Sequence, residues 1–132
     1  KKLGGFCPLF YHYGEDKDFV NRLHYHQYQI GYSPKVFGNH DREYRPMTHE
    51  GFLRTEYVYH LSEYANINYP WSKAFGYSVL AVMKKAMTSL ISGKFRLSKD
   101  YLNMGVRLLA RSLEIHSYRK TNRLSQPHYI QK

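Results

Sequence analysis

Two stretches of helical periodicity, 71–92 and 98–120, are separated only by residues 93–97, which leaves room for a turn and little else. In the first, Phe75, Val79, Val82, Met83, Ala86 and Leu90 recur at helical spacing, widened by Leu80, Met87 and Ile91. Ser78, Ala81, Lys84, Lys85, Thr88 and Ser92 take the opposite side, and Gly93 supplies the stop. In the second, Leu102, Val106, Leu109 and Leu113 make the apolar stripe, flanked by Leu108 and Ile115, with Ser98 expected as its cap. So short a connection predicts an antiparallel helical hairpin, each helix burying its stripe.

A third helix is predicted over 48–66. Thr48 is placed to cap it, Glu50 suits the positive end of the helix dipole, and Leu53, Tyr57, Leu61 and Tyr64 share one stripe. Pro70 fixes its limit, because the residue before proline avoids helical geometry. Residues 1–47 read differently. Gly4-Gly5, Pro8, Gly14, Gly31, Pro34, Gly38 and Pro46 interrupt them every few positions, with aromatic rings between the breaks. A short helix over 16–29, with Phe19, Val20 and Leu23 on one face, is the one regular element suggested there. The expected architecture is mainly α: an extended, irregular N-terminal arm over 1–47, a small helical domain over 48–120 built from the hairpin and its preceding helix, and a polar tail over 121–132.

The chain carries 14 Tyr and 7 Phe in 132 residues. Rings with a polar tip suit half-wet positions at protein interfaces, and so high an aromatic content argues against disorder. An arm rich in such rings is expected to bury them on neighbours, with Phe10, Tyr13, Tyr25, Tyr32 and Phe37 as the anchoring residues.

The formal net charge of +10 is unevenly spread. Residues 1–83 hold nine Lys/Arg against eight Asp/Glu, whereas 84–132 hold eleven against Asp100 and Glu114 alone. A polyanionic partner for the C-terminal half follows, lipid headgroups and RNA being the two chemistries in view. The expected anion-binding set is Lys84, Lys85, Lys94, Arg96, Lys99, Arg107, Arg111, Arg119 and Lys120.

Patterns for catalysis are weak. His24 and His26 would share a strand face as a metal pair, but no further ligands are fixed nearby. Glu56, His60 and Glu63 lie at spacings of four and three on one helix face, the reverse of the Glu-x-x-His order of di-metal bundles. Cys7 is the one cysteine; it sits between apolar residues with no local cation to activate it, and it excludes an internal disulfide. No phosphate-binding glycine loop or serine elbow is present. No enzyme activity, cofactor, metal or small-molecule substrate is therefore expected. The most apolar run, 74–83, falls well short of the about 18 residues a membrane span needs.

In composition and organisation across its length the chain resembles the supernumerary subunits of mitochondrial respiratory-chain and ATP-synthase complexes: small, basic, aromatic-rich, with a wrapping arm and one or two helices. The resemblance implies a structural accessory subunit, peripheral to the inner membrane, in contact with other subunits and with anionic lipid such as cardiolipin. The alternatives are a basic mitochondrial ribosomal protein on rRNA and a ciliary microtubule-associated structural protein. Against the ribosomal reading, the arm carries Glu15, Asp16, Asp18, Asp41 and Glu43, which would repel phosphate.

Overall fold

The computed structural model describes residues 3–10, 13–31, 33–35 and 46–124. It is mainly α, with no strand among the described residues. In chain order come α1 (Glu15–Tyr25), α2 (His49–Ala65), α3 (Trp71–Phe75), a π-helical segment (Gly76–Leu80), α4 (Ala81–Ile91), α5 (Phe95–Ala110) and α6 (Ser112–Asn122).

Helix α2 begins where its sequence says. Thr48 Oγ1 accepts a hydrogen bond from the Gly51 N–H at 3.0 Å, satisfying one of the donors a helix start leaves open. Leu61 and Tyr64 are fully buried, with Leu53 and Tyr57 packed at the edge of the core. Asn66 ends the helix in extended geometry. From Trp71 the chain turns helical again and stays so through the π-helical segment into α4. There Ser78 is buried and its hydroxyl donates to the Ala74 carbonyl at 2.7 Å. Gly93, at φ 71, ends this run in left-handed geometry that most residues resist.

Helices α4 and α5 then pack closely along their length. Ser98 does not cap α5, which starts at Phe95; its hydroxyl instead donates to the Ala86 carbonyl of α4 at 2.9 Å. Farther along, Gly105 lets the backbones approach, since a Cβ there would lie 3.1 Å from Met83 Sδ. The expected single helix over 98–120 is interrupted at Arg111 (φ −90, ψ 5), so α5 and α6 are separate.

The buried face of α5 is not the expected one. Ser98, Tyr101, Met104, Gly105 and Leu108 face the core, while Leu102, Val106 and Leu109 face out, continued by Leu113 at the start of α6. On α4 the core takes Val82, Ala86 and Ser89, with Val79 before them, and leaves Met83 and Leu90 outside with Leu80, Met87 and Ile91. Each helix has two apolar flanks, and only one of them joins the core.

Over the described residues between 3 and 25 the chain departs from the expected arm. Leu3, Cys7, Leu9 and Phe10 are buried, and α1 turns Asp18 and Arg22 inward, while Val20 of the expected apolar face is exposed. Arg22 explains this. Its Nε donates to Asp18 at 2.9 Å, and its two terminal nitrogens donate to the Leu3 and Gly5 carbonyls at 2.5 and 2.6 Å. Asp18 in turn accepts from the Tyr118 hydroxyl on α6. Phe10 is thereby committed to the chain's own core and is withdrawn from the expected partner interface.

Candidate functional site

The nine cations expected to meet an anion fall into two groups. Lys85, Arg107, Arg111 and Arg119 serve the fold. Lys85 donates to Glu56 at 2.5 Å, and the Arg107 guanidinium lies over the Tyr57 ring at 4.4 Å. Arg111 grips both oxygens of Glu114 at 2.8 and 2.9 Å, which raises its own pKa and holds the Glu114 carboxyl below its usual range. Arg119 is buried; its guanidinium donates to the carbonyls of Tyr64, Asn66 and Tyr69 at 3.0, 2.5 and 2.6 Å. Burial, with Arg123 nearby, lowers its pKa to about 10. Their partners are the Glu56 and Glu114 carboxylates, the Tyr57 ring and the carbonyls of Tyr64, Asn66 and Tyr69, most of them far off in sequence, which spacing along one helix does not reveal.

Lys84, Lys94, Arg96, Lys99 and Lys120 remain exposed and form no salt bridge among the described residues. The first four border one surface. Helical geometry puts Met83, Met87 and Leu90 on the α4 flank turned away from α2, and Leu102, Val106 and Leu109 on the matching flank of α5. The Met83–Gly105 contact joins the two flanks into one continuous outer face. Leu80 and Ile91 extend it along α4, Phe95 lies at its tip, and Leu113 closes the other end. Val106 is 65%, Phe95 70%, Ile91 82% and Leu113 86% exposed. Full burial of one such side chain contributes roughly 1.5–3 kcal/mol, so an uncovered row of them is a considerable unused driving force. Single exposed apolar residues need no explanation, but a contiguous patch edged by charge marks an interaction surface.

Of the expected partner-facing rings, Tyr13 and Tyr25 are exposed, together with Phe6 and Tyr28; Tyr32 and Phe37 lie outside the described residues. No family model, curated protein or solved structure matches the chain. Among the described residues no helix is long and apolar enough to cross a membrane, and no group of three or more His, Cys, Asp or Glu is placed to hold a metal ion. His24 and His26 are directed apart, His24 Nδ1 to Asn68 at 3.0 Å and His26 Nε2 to the Asn122 carbonyl at 2.8 Å.

The polar row of α2 is used inside the fold. Glu63 pairs with Lys17 at 2.6 Å and Glu56 with Lys85, and His60 is buried between them. His60 Nδ1 donates to the Tyr77 carbonyl in the π-helical segment at 3.2 Å, which fixes the tautomer and leaves Nε2 as an acceptor, 3.9 Å from Glu56. Burial lowers its pKa from 6.5, opposed by the bond to Tyr77, and so the ring is held neutral. Such a histidine stabilises fully above its unfolded value. As pH falls below 6.5 the unfolded chain takes up a proton that the native ring resists, and that stability is lost toward the depressed native value. His60→Asn keeps a donor for Tyr77 and does not titrate. Between about pH 7.5 and pH 5.5 urea midpoints of the wild-type chain should therefore fall more than those of the variant; equal slopes would mean that burial does not hold this ring neutral.

Proposed function

We propose that the chain is a non-catalytic accessory subunit of a mitochondrial inner-membrane assembly of the respiratory-chain or ATP-synthase type. Its nearly neutral half meets neighbouring subunits through exposed rings such as Tyr13 and Tyr25, and its basic helix pair turns toward anionic lipid or an acidic neighbour. The observation that supports this reading is the outer face of α4 and α5, apolar over its whole length and bordered by Lys84, Lys94, Arg96 and Lys99. A chain that acts alone gains nothing from leaving such a surface wet, whereas a subunit covers it on docking.

Native complexes separated from gently solubilised mitochondria give the test. The chain is expected to migrate with an inner-membrane complex, in fixed ratio to its subunits. Migration with a ribosomal particle, together with abundant ultraviolet crosslinks from 84–123 to RNA, would replace this reading with the rRNA-binding one.

A further inference from the structure

The outer face of α4 and α5 has a composition that separates its possible occupants. Protein interfaces are enriched in Tyr, Trp, Phe, Met and Arg and depleted in Lys. This surface shares the Met and one Phe but carries neither Tyr nor Trp. Its apolar body is Met83, Met87, Leu90, Leu102, Val106 and Leu109, all aliphatic or thioether, and three of its four bordering cations are lysines. The one tyrosine of these two helices lies elsewhere: Tyr101 is buried against Glu56. The local acids are engaged too, Asp100 with His49 at 2.9 Å and Glu114 with Arg111. No acidic side chain is among those named on the face itself. It is the outer side of two packed helices. Aliphatic side chains at the centre with lysine and arginine along the edges is the pattern of helices that lie in the plane of a bilayer interface.

We propose that this face is a membrane anchor of the interfacial kind, α4 and α5 lying flat on an anionic bilayer. The aliphatic stripe enters the boundary between headgroups and acyl chains, and Lys84, Lys94, Arg96 and Lys99 meet lipid phosphates. Phe95, at the exposed tip between Lys94 and Arg96, enters beside them. The inference deepens the accessory-subunit reading and rests on it for the membrane concerned, though the face itself is tested without the complex.

Flotation of the full chain with phosphatidylcholine vesicles, with and without cardiolipin, tests it. Binding is expected on cardiolipin-containing vesicles, at least about tenfold weaker on phosphatidylcholine alone, and weaker as salt rises. The double variant Leu102→Glu with Val106→Glu should lose binding on both while its circular dichroism stays helical. Lys94→Glu with Arg96→Glu, at an exposed turn where folding is not at risk, should reduce binding to cardiolipin vesicles about tenfold or more and leave the residual binding to phosphatidylcholine unchanged. Unaltered binding of the Leu102/Val106 variant would show adsorption by charge alone and overturn the proposal. So would equal binding to both vesicles. A wild-type chain that ignores vesicles but forms dimers by light scattering, dispersed by Leu102→Glu with Val106→Glu, would assign the face to a second copy instead. Failure on vesicles with retained migration in an inner-membrane complex removes this inference and leaves the accessory role standing; binding to vesicles without such migration does the converse.

Discussion

Arg119→Met is expected to destabilise the chain by about 3–4 kcal/mol, a large share of the roughly 5–15 kcal/mol that holds a small domain together. Three carbonyls accept from this guanidinium, those of Tyr64, Asn66 and Tyr69, where the chain leaves α2 and turns toward α3. Arg123 supports the same turn through the Ile67 and Tyr69 carbonyls at 3.2 and 3.0 Å. Leaving a buried acceptor without a donor costs about 1–3 kcal/mol, and three of them would exceed the expected total. Two effects reduce it. The Tyr69 carbonyl keeps Arg123 and the Asn66 carbonyl keeps the Tyr69 N–H, and the variant no longer buries a cation. Methionine keeps much of the packing against the Trp71 ring, over which the guanidinium lies at 5.5 Å. Arg119→Lys retains charge but has no planar fork, so it should recover only part of the loss. Urea unfolding of both variants checks the order. A loss below about 1 kcal/mol for Arg119→Met would mean that solvent replaces these bonds freely.

The second large effect is expected at Asp18. Asp18→Ala leaves the fully buried Arg22 without its carboxylate, and breaking a buried ion pair from one side costs about 3–5 kcal/mol. The Tyr118 hydroxyl loses its acceptor at the same time. Burial raises the pKa of that phenol, so it stays protonated and acts as donor. Burial also lifts the Asp18 carboxyl above its usual range, against the hydrogen bond from Tyr118 and the charge of Arg22. Removing both charges together, with Asp18→Leu and Arg22→Leu, should cost less than the sum of the single changes, because neither partner is then stranded. Additive losses would show that the two side chains act independently. A second readout follows from the Leu3 and Gly5 carbonyls: without Arg22 the segment 3–10 loses its tie to α1, and chymotrypsin should cleave after Leu9 or Phe10 under native conditions. Resistance equal to wild type would mean that the burial of Cys7, Leu9 and Phe10 alone holds the segment.

Much of the helix content was legible because it depends on neighbours in sequence. Thr48 caps α2 by a bond to its own third residue onward, and Gly93 stops α4 through its own φ. Asn66 and Pro70 close the gap between α2 and α3 by backbone geometry alone. The place of Ser98 was misread for the opposite reason. A serine before an apolar run suits a cap, but here the Ala86 carbonyl lies within reach of its hydroxyl, and that carbonyl belongs to another helix. The π-helical segment and the interruption at Arg111 left no local signal; neither involves proline, and glycine occurs only at Gly76.

The cationic character of the C-terminal half was legible in the sequence, and the placement of its side chains was not. Charge counting marked the C-terminal half as cationic, and Lys84, Lys94, Arg96 and Lys99 are indeed exposed together. It could not separate them from Arg119, whose three carbonyl partners lie about fifty residues away, or from Arg111, which is held by Glu114 three residues on and by the distant Tyr57. Periodicity alone assigns this apolar face to the core. Periodicity reports that Leu102, Val106, Leu109 and Leu113 share a flank of the helix, and it does so correctly.

What the sequence by itself determined is which segments become helices, where α2 starts and α4 stops, and which half carries the charge. Those follow from backbone preferences and from side chains three or four residues apart. Which flank of α4 and α5 is buried, and which arginines are consumed by the fold, was decided by the tertiary structure alone. A helix with two apolar flanks has no preference for either until another helix arrives. Here the flank of Val82, Ala86, Tyr101 and Leu108 joins one core with Leu61 and Tyr64 of α2, and the other is left facing outward.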